Sequence, residues 1–211
     1  MRIHSGGRII PSPSPKDKRR RIHDAAVKVF AEKGFFGARV SDIAREAGVA
    51  DGTIYLYFKN KDDLLISLFE DRMDEIMAAF EAQLEGLDPP AQLERFVAVH
   101  LEMVAERPRL AEVLTVELHQ SSKFMHEYRA PGFQRYLGLL EAIIERGQAQ
   151  GLFATDLHPK LLKRVIFGAL DEVALHWVST RRKPYALDDA ARQIWTICAR
   201  GLMRGPGDVD H

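Results

Sequence analysis

The segment Val40-Ser-Asp-Ile-Ala-Arg-Glu-Ala-Gly-Val-Ala-Asp-Gly-Thr-Ile-Tyr-Leu-Tyr-Phe-Lys-Asn-Lys61 constrains the fold more than any other part of the chain. Ile43, Ala44 and Ala47 line one face of about two helical turns, for which Ser41 is the expected N-cap. Gly48 follows as a residue able to take the left-handed conformation that stops a helix. Val49 and Ile54 then restart the apolar pattern from a new N-terminus at Asp51 or Gly52, so two short helices meet across a turn. Ile54 and Phe58 lie four apart and should point inward, which leaves Thr53, Tyr55 and Tyr57 directed largely outward. Hydroxyls beside Lys59 and Lys61 suit phosphate oxygens and base edges in a major groove.

These residues, with the helix end Phe30-Ala-Glu-Lys-Gly34, resemble the DNA-binding domain of the TetR family of bacterial transcriptional regulators over about Lys18 to Leu68. Further on, Glu117-Leu-His-Gln-Ser and Ile166-Phe-Gly-Ala-Leu-Asp-Glu172 are similar to the FadR-type branch, which senses long-chain acyl-CoA. The resemblance implies an all-α fold. It divides the chain into an N-terminal arm (residues 1–15), a three-helix helix-turn-helix domain (16–62), a helical ligand-binding and dimerisation domain (63–205) and a tail (206–211). It also implies a homodimer with a two-fold four-helix interface, an operator in double-stranded DNA and a small hydrophobic effector, with no metal or other cofactor.

Charge is distributed as that organisation requires. The formal net charge is zero, yet residues 1–61 carry 13 Lys/Arg against 6 Asp/Glu, and residues 62–211 carry 17 against 24. A basic module on an acidic body is the footprint of a protein that touches a polyanion at one end. Within the basic part, the run Lys18-Arg-Arg-Arg21 opens a helix whose apolar stripe is Ile22, Ala26, Val29 and Phe30, and it is placed to meet phosphates. The arm before it, with Pro11, Pro13 and Pro15 between serines, suits a minor groove better than a helix.

The single cysteine, Cys198, rules out an intrachain disulfide and lies in an apolar run that suggests a buried thiol. No apolar signal core precedes Pro15, and charged residues interrupt every long apolar run, so the expected setting is cytoplasmic, away from the membrane. His100, His119, His126 and His176 are scattered. No His-Glu-x-x-His, Cys-x-x-Cys, Gly-x-Ser-x-Gly or phosphate-loop pattern accompanies them, so no catalytic residue is assigned.

Beyond Lys61 the pattern is helical throughout. Asp62 and Asp63 suit a first turn, Leu64, Leu65, Leu68, Ile76 and Phe80 extend a long helix to about Leu84, and Asp88-Pro-Pro90 opens the next. Pro108 and Pro131 open two more. The last two helices, roughly 160–180 and 187–202, carry apolar surface wider than one packing stripe needs. One side reads as monomer core and the other as a dimer interface; a fully internal helix pair is the competing reading.

Chemistry and the family match select Thr53 and Tyr55 for base-edge contacts, Gly52 for close backbone approach, and Ser41, Tyr57 and Lys61 for phosphates. For an acyl chain the candidate lining is Leu101, Met103, Leu114, Leu118, Phe133, Leu137, Phe167, Leu170 and Trp177. Arg107, Arg109, Lys123 and Arg129 are candidates for the phosphates of CoA. The acyl-CoA class comes from the resemblance alone. A repressor of the same fold answering to a drug or another lipid would share every DNA-binding feature.

Overall fold

A computed structural model describes residues 14–116 and 130–203. Most of the N-terminal arm, Leu118, Lys123, Arg129, His119, His126 and the tail lie outside the described residues. Nine helices occur among those described: α1 (Pro15–Gly37), α2 (Val40–Ala47), α3 (Asp51–Tyr55), α4 (Lys61–Leu84), α5 (Pro89–Glu106), α6 (Pro108–Thr115), α7 (Pro131–Ala149), α8 (Pro159–Ser179) and α9 (Leu187–Leu202). The only extended pairing among them is an isolated bridge between Phe153 and Met203.

Helix α1 begins earlier than the apolar stripe indicated. Ser14 and Asp17 form a reciprocal capping box, and Pro15 occupies the first helical position, where its missing N–H is no loss. The sequence boundary at residue 15 therefore cuts into the cap of a helix. Gly34, at φ 70° and ψ 163°, kinks the far end of α1 and turns Phe35 inward against Phe30, with ring centroids 5.7 Å apart. Gly48 adopts φ 63° and ψ 41° and ends α2 as expected, its N–H returning to the Ala44 and Arg45 carbonyls.

The expected cap of α2 is displaced. Arg39 holds the N-cap position, where its carbonyl accepts from the N–H groups of Asp42 and Ile43, and Ser41 is already inside the first turn. Backbone geometry after the α1 kink sets this start, so the better capping side chain arrives two residues late.

In the head of the molecule α1 packs on α2, α4 and α6. Helix α4 runs from this head into the body, where α5 packs against α4, α6, α7, α8 and α9. Caps fall where the sequence marked breaks: Asn60 accepts from Asp63 N–H at 2.8 Å and Asp88 from Ala91 N–H at 2.9 Å. The core is continuous from Ile22 and Phe30 through Leu64 and Leu68 to Phe80, Phe96 and Leu140. No helix among the described residues is long and apolar enough to cross a membrane.

Candidate nucleic-acid interface and effector cavity

Ile54 and Phe58 are buried, as their spacing required, and they pin α3 to the head. That anchoring turns Gly52, Tyr55 and Leu56 to solvent, while Thr53 and Tyr57 are half-buried. Leu56 is 82% exposed, and such a large apolar side chain beside Tyr55 makes a surface suited to thymine methyls as well as to hydrogen bonding. A Cβ built on Gly52 meets nothing within 4 Å. No packing inside the protein demands glycine there, and the exposed backbone leaves the face of α3 open to close approach.

Several cations expected at phosphates are engaged inside the protein. The Lys61 ammonium donates to the carbonyls of Phe35 (2.5 Å), Phe36 (3.3 Å) and Ala38 (3.1 Å) and lies 4.6 Å from the centroid of the Phe35 ring. It serves as the C-terminal cap of the kinked α1, where carbonyls lack intrahelical partners. From the run opening α1, Arg19 bonds Ser67 and Asp71, and Arg21 donates to the Ala47 carbonyl at 2.6 Å. Lys28 and Lys33 pair with Glu46 and Asp42. Arg39 and Lys59 are exposed, and no carboxylate pairs with their side chains among the described residues. Neither was among the expected contacts: the sequence reading did not single out Arg39 and named Lys59 only as a neighbour of the outward hydroxyls.

A second site lies in the body. A cavity of about 290 Å³ opens between α4, α5, α6, α7 and α8, floored by Phe69, Met73, Phe80, Phe133 and Phe167. Of the residues expected from sequence, the structure brings Met103, Leu114, Phe133 and Phe167 to its wall and Arg107 to its rim. Leu101, Leu137 and Leu170 are instead fully buried core. Trp177 packs away from the cavity, beneath the Lys183 ammonium and bonded through Nε1 to the Tyr185 carbonyl. Arg109 is exposed on α6 and does not line the cavity. The α4 wall was missed because its apolar residues follow the same periodicity as core.

Polar groups punctuate this apolar wall. His100 Nδ1 lies 2.7 Å from the Tyr136 hydroxyl, with Asp171 on the same wall. Burial pushes His100 down to about 4, so it is a neutral imidazole at physiological pH. Burial and then the Asp171 charge hold the Tyr136 phenol well above its usual range. At the rim, Glu75 accepts from Arg107 at 3.4 Å and from Arg72 at 2.8 Å.

Arg72 joins cavity and head. Its guanidinium is buried, bonds both Glu75 oxygens and reaches Asp24 of α1 at 2.5 Å. Close by, His23 fits between α1 and α4, with Nε2 3.1 Å from Ser67 Oγ and Nδ1 3.1 Å from Asp71. A neutral His23 makes both bonds, donating to Asp71 and accepting from Ser67. Burial, then Arg19 and Arg72, oppose a second proton and lower its pKa to about 4.

Comparison with known proteins bears on both sites. Residues 22–68 match the model of bacterial regulatory proteins of the tetR family, and residues 69–201 match the C-terminal region of YsiA-like proteins. The chain belongs to the TetR family. It is 38% identical over 188 residues to a fatty acid metabolism regulator protein of Bacillus subtilis, covering 89% of this chain and 96% of that one. The structure of the transcriptional regulator FadR from Bacillus subtilis in complex with stearoyl-CoA superposes with a TM-score of 0.81 at 36% identity, covering 86% of this chain and 98% of that chain. The fatty acid degradation regulator FadR from Bacillus halodurans gives 0.81 at 38%, covering 88% and 95%. This TetR-family protein is thus a transcription regulator with a DNA-binding helix-turn-helix in α2 and α3.

Proposed function

We propose that the protein is a dimeric, non-enzymatic repressor of fatty-acid degradation genes, seated on an inverted-repeat operator and released by a long-chain acyl-CoA. The observation that carries the effector class is the largely apolar cavity with a cation, Arg107, at its rim, in a chain resembling a regulator captured with stearoyl-CoA. The acyl chain would lie along Phe69, Met73, Phe133 and Phe167, and the CoA phosphates would draw Arg107 away from Glu75.

Dimerisation would use the outer faces of α8 and α9. Leu161, Val165 and Ile197 are 63%, 59% and 72% exposed, and Gly168, Ala169 and Gly201 leave room between them for helices to approach closely. A two-fold pair built there presents two α3 helices, which dock together only when they match successive major grooves about 34 to 36 Å apart. An effector that favours another spacing releases DNA by differential affinity for two states.

The decisive experiment is native mass spectrometry of the purified protein, followed by operator binding with and without stearoyl-CoA. A dimer carrying acyl-CoA, whose operator affinity falls about 5- to 150-fold on saturation, is expected. A monomer at micromolar concentration, or an affinity unmoved by acyl-CoA of any length, overturns the reading.

A further inference from the structure

His100 stands among the residues lining the cavity, and one of its two nitrogens has no hydrogen-bond partner among the described residues. Val99 and Met103 flank it on α5, and the aromatic wall of Phe80, Phe133 and Phe167 lies around the same space. Nδ1 is occupied by Tyr136, whereas Nε2 is shielded from solvent and has no hydrogen-bond partner among the described residues. Buried polar atoms in folded proteins are nearly always paired, so an orphan on a residue that lines a cavity points to a partner brought there by a ligand.

The tautomer follows from counting bonds. If the Tyr136 hydroxyl donates to Nδ1, the neutral ring carries its proton on Nε2 and only that N–H is left over. If Nδ1–H donates to Tyr136 instead, both the phenol proton and the Nε2 lone pair are left over. The first arrangement leaves fewer buried groups unmade and is the favoured one. It makes Nε2–H a fixed donor, held in orientation by Tyr136 and waiting for an acceptor.

Resting on the acyl-CoA reading of this cavity, we infer that His100 Nε2–H is a recognition point for an oxygen carried by the acyl part of the effector. That oxygen is either the thioester carbonyl or a hydroxyl further along the chain. A plain hydrocarbon segment offers the donor nothing, so His100 sets both the depth at which a chain seats and its selectivity.

The test is calorimetric titration of the intact wild-type dimer and of His100→Phe and His100→Gln with three probes. These are stearoyl-CoA, its octadecyl thioether lacking only the carbonyl oxygen, and a hydroxystearoyl-CoA. If the thioester is read, the thioether binds wild type about 10- to 100-fold more weakly than stearoyl-CoA, and His100→Phe removes that difference. If a chain oxygen is read, the hydroxylated probe binds wild type more tightly than stearoyl-CoA, and His100→Phe removes that advantage. In both cases His100→Gln, which keeps an N–H donor, restores part of the loss.

Nitrogen NMR of His100 in the wild type gives a readout independent of any variant's folding, since Nε2 must shift when its N–H gains an acceptor. Affinities for all three probes within about twofold between wild type and His100→Phe, or no Nε2 shift with a bound probe, overturn the inference while leaving the acyl-CoA reading in place. If wild type binds none of the three, the acyl-CoA reading itself falls and takes this one with it.

Discussion

Arg72 of α4 reaches Asp24 of α1 at 2.5 Å while the same guanidinium grips Glu75, so one buried cation ties the head of the molecule to the rim of its cavity. Glu75 is also the partner of Arg107, the cation proposed to meet the effector's phosphates. On the proposed reading, a ligand that recruits Arg107 would change the charge surrounding Glu75, and Arg72 would pass the change to α1. Arg72→Met should therefore leave effector affinity nearly intact yet reduce the effector's effect on operator affinity toward onefold. Stability should change by about 1 kcal/mol or less, because Asp24 and Glu75 keep access to water and the unpaired Arg72 Nε disappears with the side chain. Operator titrations with and without effector check this; undiminished coupling would remove Arg72 from the path.

A substitution at Gly52 would separate folding from recognition. Alanine is the better helix former by about 1 kcal/mol, and the space around Gly52 is open within the protein. Gly52→Ala should raise or preserve the melting temperature and still weaken operator binding by about tenfold or more. Unchanged anisotropy titrations would mean that α3 does not bring its backbone close to DNA.

Cations at the head divide into two groups. Arg39→Ala and Lys59→Ala should each flatten the logarithmic salt dependence of DNA binding by about one unit, as loss of one phosphate contact does. Lys61→Ala should instead lower stability by about 1 to 3 kcal/mol, since three carbonyls lose their donor. Salt titrations and urea melts on the three variants distinguish the groups, and a flattened slope for Lys61→Ala with normal stability would reverse its assignment.

His23 and His100 make stability depend on pH in one direction. Both have folded pKa values near 4, below the unfolded value of 6.5, so below about pH 6.5 the unfolded chain takes up protons that the folded chain refuses. Their effect is absent at pH 7.5 and grows on acidification. Each should reduce unfolding free energy by about 2 kcal/mol by pH 5, a loss that continues toward pH 4. Urea unfolding at pH 7.5 and 5.0 measures the drop, and His23→Gln should halve the histidine part of it.

Local rules made the helix-turn-helix legible. Gly48 in the left-handed region and the inward pair Ile54 and Phe58 follow from spacing alone. Lys61, Arg19 and Arg21 were illegible because their partners are 23 to 52 residues away, and a cation in sequence looks the same whether it meets a phosphate or a carbonyl. The cavity suffered from a different degeneracy. Phe69, Met73, Ile76 and Phe80 repeat along α4 as core residues do, and only three-dimensional packing separates a wall from a filled interior. Leu101 and Leu170 were drawn into the expected lining by the same ambiguity.

Helix α6 contributes Leu110, Ala111 and Leu114 to the cavity and rests on α1 with its other side. The proposed effector cavity and the helix-turn-helix head thus share a party wall one helix thick. Substitutions in the lining from α5, α7 and α8 would leave that wall standing, so the shape of the cavity could be altered without moving the surface offered to the chromosome.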